Sequence, residues 1–508
     1  MGEKKLGVVF SYASLLISSV LSIILTPFML RSMGDVEYGL YHTISSFIGV
    51  LTVLDFGSGI TTTKYIAEFN LKKDRSGGNN YLGMAVVVNA FISVVICLIG
   101  IGFVLSIDTV YGNTFTHEDL SKAKLLAVLY LINIVVTIFA NVFQGVVIGY
   151  KKFVYANGIQ LLKILLRFGL IFSLLCIGLG AVSISIADIS ANFIFLSAMF
   201  LFALVKLKAY PKVIKWNNQL FRATLFFSSA LFIQAIVYQI NNSIDRVLLG
   251  ALLGGAAVTI YSVAMNIYLI YGSLSGAIRK ILLPDAVKLV KEGADSTRIT
   301  DFVIKGGRYQ FIVLIYILCG FILVGKDFIH IWVGTEYNLA YYIAIILMTP
   351  TLFQLSQNVT ETILDAMGKR MVRSIILAFG AVFNVAITIV FIKLFGVIGA
   401  PIGTAISCVG AALIALNIYH KKVMGLQIKR MFFEICNRTI VCAVISMIIA
   451  YSINLLHLHI WLSFISKGIL FTILYFIGMW FWGFDISEKN VIKHFLLKFK
   501  KQEKIKHD

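Results

Sequence analysis

Acidic side chains are scarce in this chain: 24 aspartates and glutamates stand against 44 lysines and arginines, and charged residues make up only 13% of its 508 positions. With 59% hydrophobic residues and a mean hydropathy of +0.91, that scarcity excludes a soluble protein folded round one core. Cysteine is sparse too. The six (Cys97, Cys176, Cys319, Cys408, Cys436 and Cys442) all lie within or at the ends of apolar stretches, with no Cys-x-x-Cys, so they read as packing residues and not as disulfides or metal ligands. The chain lacks the phosphate-binding G-x-x-x-x-G-K-[ST] pattern, and His117-Glu118-Asp119 lacks the second histidine of H-E-x-x-H. No nucleotide, metal or other cofactor is expected, so any work must draw on an ion gradient, the membrane potential or the substrate gradient. Long hydrophilic connections are also missing. The longest, at 63–80, 206–222 and 279–305, are too short for a folded domain, and the loops on the other side are shorter still. A membrane glycan polymerase would need a large external loop and a carboxylate cluster, which counts against that class.

What is present is a series of apolar stretches between residues 7 and 482, about fourteen of spanning length. The net charge of +20 does not point to nucleic acid, because the cations fall in alternate loops. Lys72, Lys73 and Arg75, Lys151 and Lys152, Lys206 to Lys215, Arg279 to Lys291, Lys369 to Arg373, Lys421 to Arg430 and the tail from Lys489 to Lys506 belong to one side. Arg31, Lys122, Lys124, Arg246, Lys326, Lys393 and Lys467 belong to the other. The richer side is cytoplasmic by the positive-inside rule, so both termini are expected in the cytoplasm of a multi-pass protein. The first stretch is too long for a cleaved signal core and is read as a retained span, and the opening Met-Gly-Glu-Lys-Lys-Leu fails the myristoylation pattern.

Inside this apolar background Arg167 stands near the middle of the stretch from Val154 to Ile177, four residues beyond Lys163. A charge at that depth costs several kcal/mol unless it faces protein or a water-filled path, and cations one turn apart share a face. Together they suit an anionic passenger, although Lys163 lies nearer the cytoplasmic end, where a lysine can snorkel. Asp188 offers another account. The glycines at 178 and 180 force two antiparallel helices, which places Arg167 about 6 Å deeper than Asp188, within reach of a neutralising pair.

Polar stripes run at helical spacing through other spans: Asn133, Thr137, Asn141 and Gln144; Gln234, Tyr238, Asn241 and Asp245; Gln354, Asn358, Glu361 and Asp365. Amides and phenols are what a sugar headgroup would meet, and they also serve as interhelical hydrogen bonds. Asn133, Asn141, Gln234, Tyr238, Asn241, Gln354 and Asn358 therefore join Lys163 and Arg167 as candidate substrate contacts. Asp55, Asp188 and Glu361 are candidates for ion coupling or for structure. Asp245 beside Arg246 at a helix end reads as a mutual pair or as hydrated, and Asp365 as the partner of Lys369.

An internal repeat is visible. Phe10-Ser11 recurs at Phe227-Ser228, and the seven-residue step from Gly34 to Tyr41 recurs from Gly254 to Tyr261, as six helices per half would place them. The expected organisation is all-α and polytopic, with two parallel-repeat lobes of six helices plus two C-terminal helices. Residues 1–205 form the first lobe, 206–222 a cytoplasmic linker, 223–420 the second lobe, 434–482 the added pair and 483–508 a basic cytoplasmic tail.

The runs Thr26-Pro27-Phe28-Met29-Leu30-Arg31, Met33-Gly34, Glu37-Tyr38-Gly39-Leu40-Tyr41 and Leu54-Asp55-Phe56-Gly57 resemble bacterial polysaccharide-biosynthesis transporters of the oligosaccharide (O-antigen) flippase group. Ile244-Asp245-Arg246-Val247-Leu248-Leu249-Gly250, Tyr261-Ser262-Val263-Ala264 and Ala366-Met367-Gly368-Lys369 are similar to the matching second-half segments. The resemblance covers essentially the whole chain and places it in the multidrug, oligosaccharidyl-lipid and polysaccharide exporter superfamily. It implies a V-shaped cavity between two lobes and alternating access. It also implies an undecaprenyl-diphosphate-linked oligosaccharide as passenger, moved to the outer leaflet of the bacterial inner membrane for lipopolysaccharide or other surface polysaccharide, with no enzymatic activity. A polysaccharide polymerase and a coupling proton or sodium ion are the partners that such a protein would have. A peptidoglycan-precursor or teichoic-type flippase shares this logic. A drug exporter of the same fold would carry buried carboxylates without a central cation pair.

Overall fold

The computed structural model describes residues 3–486 and 488–490, and among them every regular element is helical. The side chains of Arg279, Lys280 and Arg370 and the basic tail beyond 490 lie outside the described residues. The α-helices are α1 (Glu3–Leu51), α2 (Ser58–Leu71), α3 (Arg75–Tyr111), α4 (His117–Gly149), α5 (Phe153–Cys176), α6 (Val182–Leu201), α7 (Asn218–Leu253) and α8 (Gly255–Lys291). They continue with α9 (Ser296–Trp332), α10 (Asn338–Ser356), α11 (Asn358–Ala366), α12 (Arg370–Phe395), α13 (Gly399–Ser407), α14 (Leu416–Met424), α15 (Ile428–Tyr451) and α16 (Ile460–Gly478). Among the described residues, twelve helical stretches are long and apolar enough to cross a membrane. Two of them, Val9–Leu71 and Met371–Met424, run to 63 and 54 residues, and each holds two of the stretches marked in the sequence.

Chain chemistry explains where the helices begin and break. Asp74, Asn217 and Asp295 cap α3, α7 and α9 by accepting from the amides of Gly77, Leu220 and Arg298, and Thr116 with Asp119 forms a reciprocal box at the start of α4. Gly34 interrupts α1 at φ 74° and ψ 174°, and Gly254 separates α7 from α8 at φ 83° and ψ −175°. Only glycine enters that region freely. The two halves of the sequence repeat therefore bend at equivalent glycines by the same backbone geometry.

The chain divides into two compact units. One takes in the chain up to Asn266 together with Met371–Ser407; the other takes in Ile267–Arg370 together with the described chain from Cys408.

In the first unit, α1 crosses the α7–α8 junction at backbone contact. A methyl group on Gly39 would fall on the Gly255 carbonyl, and one on Gly255 would lie 2.7 Å from the Val36 oxygen. The hydroxyls of Thr259 and Thr114 donate to the carbonyls of Asp35 (2.6 Å) and Gly250 (3.0 Å), binding the crossing further. Glu37 accepts from the Ala181 amide at 2.6 Å and lies 3.5 Å from Lys122, so the α1 bend, the start of α4 and the α5–α6 link gather at one end. The opposite end is tied by the Asn80 side chain accepting from the Ile214 and Lys215 amides (2.8 and 3.0 Å) and by Asn157 donating to the Gly7 carbonyl (2.8 Å). Successive helices thus run antiparallel, as alternating crossings require.

In the second unit α9 packs on α15 and α16. Arg308, 6% exposed, donates from Nε to Glu488 (2.9 Å) and from its terminal nitrogens to Glu488 (3.0 Å) and the carbonyls of Glu434 (2.8 Å) and Gly483 (3.0 Å). At another point on α9, Asp327 meets the buried Lys467 at 2.8 Å. Both cations satisfy the rule that a buried charge is paired and hydrogen-bonded.

Candidate functional site

A cavity of about 250 Å³ opens inside the first unit among α1, α5 and α8. Its wall carries Arg167, His42, Tyr38, Tyr41, Thr26 and Asn266. The Asn266 amide donates to Thr26 Oγ1 at 3.2 Å and to the Tyr38 hydroxyl at 3.4 Å, which fixes that polar edge.

Arg167 donates through Nε and a terminal nitrogen to the two oxygens of Asp188, so the pair allowed by counting back from the α5–α6 link forms. The arginine side chain remains 40% exposed while Asp188 is 13% exposed. Arg167 lines the cavity, and Asp188 lies outside that lining. Lys163, one turn away, is outside this lining; its ammonium sits 4.9 Å from the centre of the Phe195 ring and has no carboxylate at ion-pair distance among the described residues.

His42 lies edge-on between Tyr38 and Tyr41, with ring centroids 4.5 and 4.8 Å away. Behind it stands Arg246 from α7, one terminal nitrogen 3.5 Å from His42 Nδ1 and the other donating to the Asn242 carbonyl at 2.8 Å. The expected pairing of Asp245 with Arg246 does not occur. Adjacent residues on a helix diverge by about 100°, and Asp245 turns the other way, buried, accepting from the Tyr261 hydroxyl and from Thr404 at 2.8 Å. Thr404 also reaches Asn384 (3.3 Å), which in turn accepts from Thr388 (3.0 Å).

The polar stripes mostly join helices. Asn133 accepts from Asn192 at 2.7 Å, Asn141 donates to Asp55 at 3.2 Å and Asn241 accepts from Asn384 at 3.5 Å. Gln234 is half-buried and Tyr238 exposed on the same helix. In the second unit Gln354 accepts from the Cys408 thiol at 3.1 Å, Asn358 donates to Ser275 at 3.0 Å, and Glu361 is half-buried on α11. Asp55 borders a second cavity of the first unit, about 260 Å³ and mainly apolar, between α2, α3 and α7. The structure therefore brings together Arg167 with Asp188 and Asn141 with Asp55; it adds His42, which the sequence reading passed over, and sets Arg246 beside it.

A family model described as polysaccharide biosynthesis protein matches residues 6–285, more than half of the chain. The chain belongs to the polysaccharide biosynthesis protein family. Within curated proteins, this family member is similar to the capsular polysaccharide biosynthesis protein CapF of Staphylococcus aureus, 27% identical over 243 residues. That match spans 46% of this chain and 59% of CapF, so less than two thirds of the relative's length. Among solved structures it is similar to the lipid II flippase MurJ in an inward closed conformation, at a TM-score of 0.70 and 16% identity over 93% of this chain and 98% of MurJ. An inward-facing multidrug-resistance MATE transporter of the MOP superfamily aligns at a TM-score of 0.66 and 16% identity, covering 80% of this chain and 94% of that one. At such identity these likenesses establish the fold, a multi-pass membrane fold shared by flippases and exporters.

Proposed function

We propose that this polysaccharide biosynthesis protein is a flippase for an undecaprenyl-diphosphate-linked oligosaccharide repeat unit, carrying it from the cytoplasmic to the outer leaflet by alternating access of the 1–205 and 223–420 lobes. The observation that carries the reading is the Arg167 cavity: an arginine held inside a membrane bundle and lining an interior space beside hydroxyls and an amide. A fixed cation with a planar fork suits phosphate oxygens, and the surrounding phenols and amides suit a glycan. Arg167 with Lys163 contacts the phosphates in this reading, and the residues of the polar stripes contact the sugars. The cation-rich loops face the cytoplasm, with both termini on that side of the bacterial inner membrane. A coupling proton or sodium ion would be held by oxygen ligands, for which Asp55, Glu361 and the Asp245–Asn384–Thr404 cluster are candidates. A polysaccharide polymerase would use the product on the far side.

The fold likeness to a lipid II flippase favours one competing passenger, a peptidoglycan precursor. The lipid extract of a deletion strain separates the two. Accumulation of an assembled but unpolymerised undecaprenyl-linked repeat unit is expected. Accumulation of lipid II instead would replace the reading with the second one, and accumulation of unextended carrier alone would point to an enzyme acting earlier.

A further inference from the structure

Arg246, like Lys163, is a cation without a carboxylate partner, and it alone stands against His42. Asp245, its neighbour in sequence, is turned into Tyr261 and Thr404, and among the described residues no carboxylate lies at ion-pair distance from the guanidinium. Its terminal nitrogens are occupied by a carbonyl and by His42 Nδ1. A guanidinium can only donate, so Nδ1 accepts and the imidazole proton sits on Nε2. That Nε2–H and the Arg246 Nε–H are both buried without a hydrogen-bond partner. Buried donors are rarely left unmatched, and here two of them adjoin an unneutralised positive charge that stands behind His42, itself part of the cavity lining. What this corner lacks is an acceptor with negative charge. Arg167, by contrast, already has Asp188.

We propose that Arg246, with His42 beside it, is the principal holder of the passenger's phosphate, binding oxygens through the guanidinium Nε–H and the imidazole Nε2–H. The assignment rests on the lipid-linked glycan reading above. The ligand chemistry is a phosphate anion on a lipid, and it has two sources: the diphosphate of the carrier or the headgroup of an ordinary anionic phospholipid.

The test is binding of undecaprenyl diphosphate to the full-length protein in phosphatidylcholine nanodiscs, for the wild type, Arg246→Gln, Arg246→Lys and His42→Phe. Loss of a charge-assisted contact predicts about ten- to a hundredfold weaker binding for Arg246→Gln, an intermediate loss for Arg246→Lys, which keeps the charge without the Nε–H, and a smaller loss for His42→Phe. Should Arg246→Gln fail to fold, the other two variants carry the comparison. Unchanged affinity in the folded Arg246 variants overturns the assignment and leaves the flippase reading standing. Failure of the wild type to bind undecaprenyl diphosphate overturns both. Displacement of the probe by a modest excess of phosphatidylglycerol would assign the corner to ordinary lipid and refute the substrate role; retention of the probe supports it.

Discussion

The Arg167–Asp188 pair supports a quantitative forecast. Arg167→Ala leaves behind an aspartate whose side chain is 13% exposed, whereas Asp188→Ala leaves an arginine whose side chain is 40% exposed and lines the cavity. Breaking a fully buried pair from one side costs about 3–5 kcal/mol, and the exposure of the arginine reduces that to about 1–2 kcal/mol for Arg167→Ala and about 1 kcal/mol or less for Asp188→Ala. The double change removes both charges and should recover about 1 kcal/mol relative to the sum of the single effects. Thermal unfolding of the purified proteins reads this as shifts on the order of 2 °C, with Arg167→Ala the lower. Surface polysaccharide in a complemented deletion strain reads function. If Arg167 touches the phosphates, the double variant is no less stable than Arg167→Ala yet still fails to export, and Arg167→Lys exports in part. Strictly additive destabilisation would refute the energetic pairing. Export restored in the double variant would refute the phosphate contact and leave Arg167 as the neutraliser of Asp188.

Two further outcomes follow from the geometry. Single cysteines at Asn113 and Gly77 should label oppositely with an impermeant maleimide, Asn113 from outside and Gly77 only after permeabilisation; labelling of both from outside would refute the topology. Arg308→Ala should destabilise the protein by about 3–5 kcal/mol, because Glu488 is left as a buried carboxylate without its cation, holding only the Asp485 amide. Glu488→Gln should be milder, since the amide can still accept from the guanidinium. Similar melting of both variants would show that the pair is not what anchors the chain end.

The sequence by itself determined what depends on the chain's own composition and local geometry. Hydropathy marked the crossings, and the alternation of lysine and arginine ordered the loops. The Arg167–Asp188 pair was legible because both residues flank one short glycine turn, so helix rise alone sets their relative depth. The equivalence of Gly34 and Gly254 was legible because both positions demand a backbone that glycine adopts at little cost. Tertiary structure alone decided which way the polar residues point. His42 meets Arg246 across 204 residues, Asn141 meets Asp55 across 86, and Asp245 turns from its neighbour to Thr404, 159 residues away. The reason is the solvent. In a membrane the faces toward lipid and toward protein are both apolar, so the hydrophobic pattern that sets a helix's rotation in water carries little of that information here, and the setting is left to close packing such as the Gly39–Gly255 crossing.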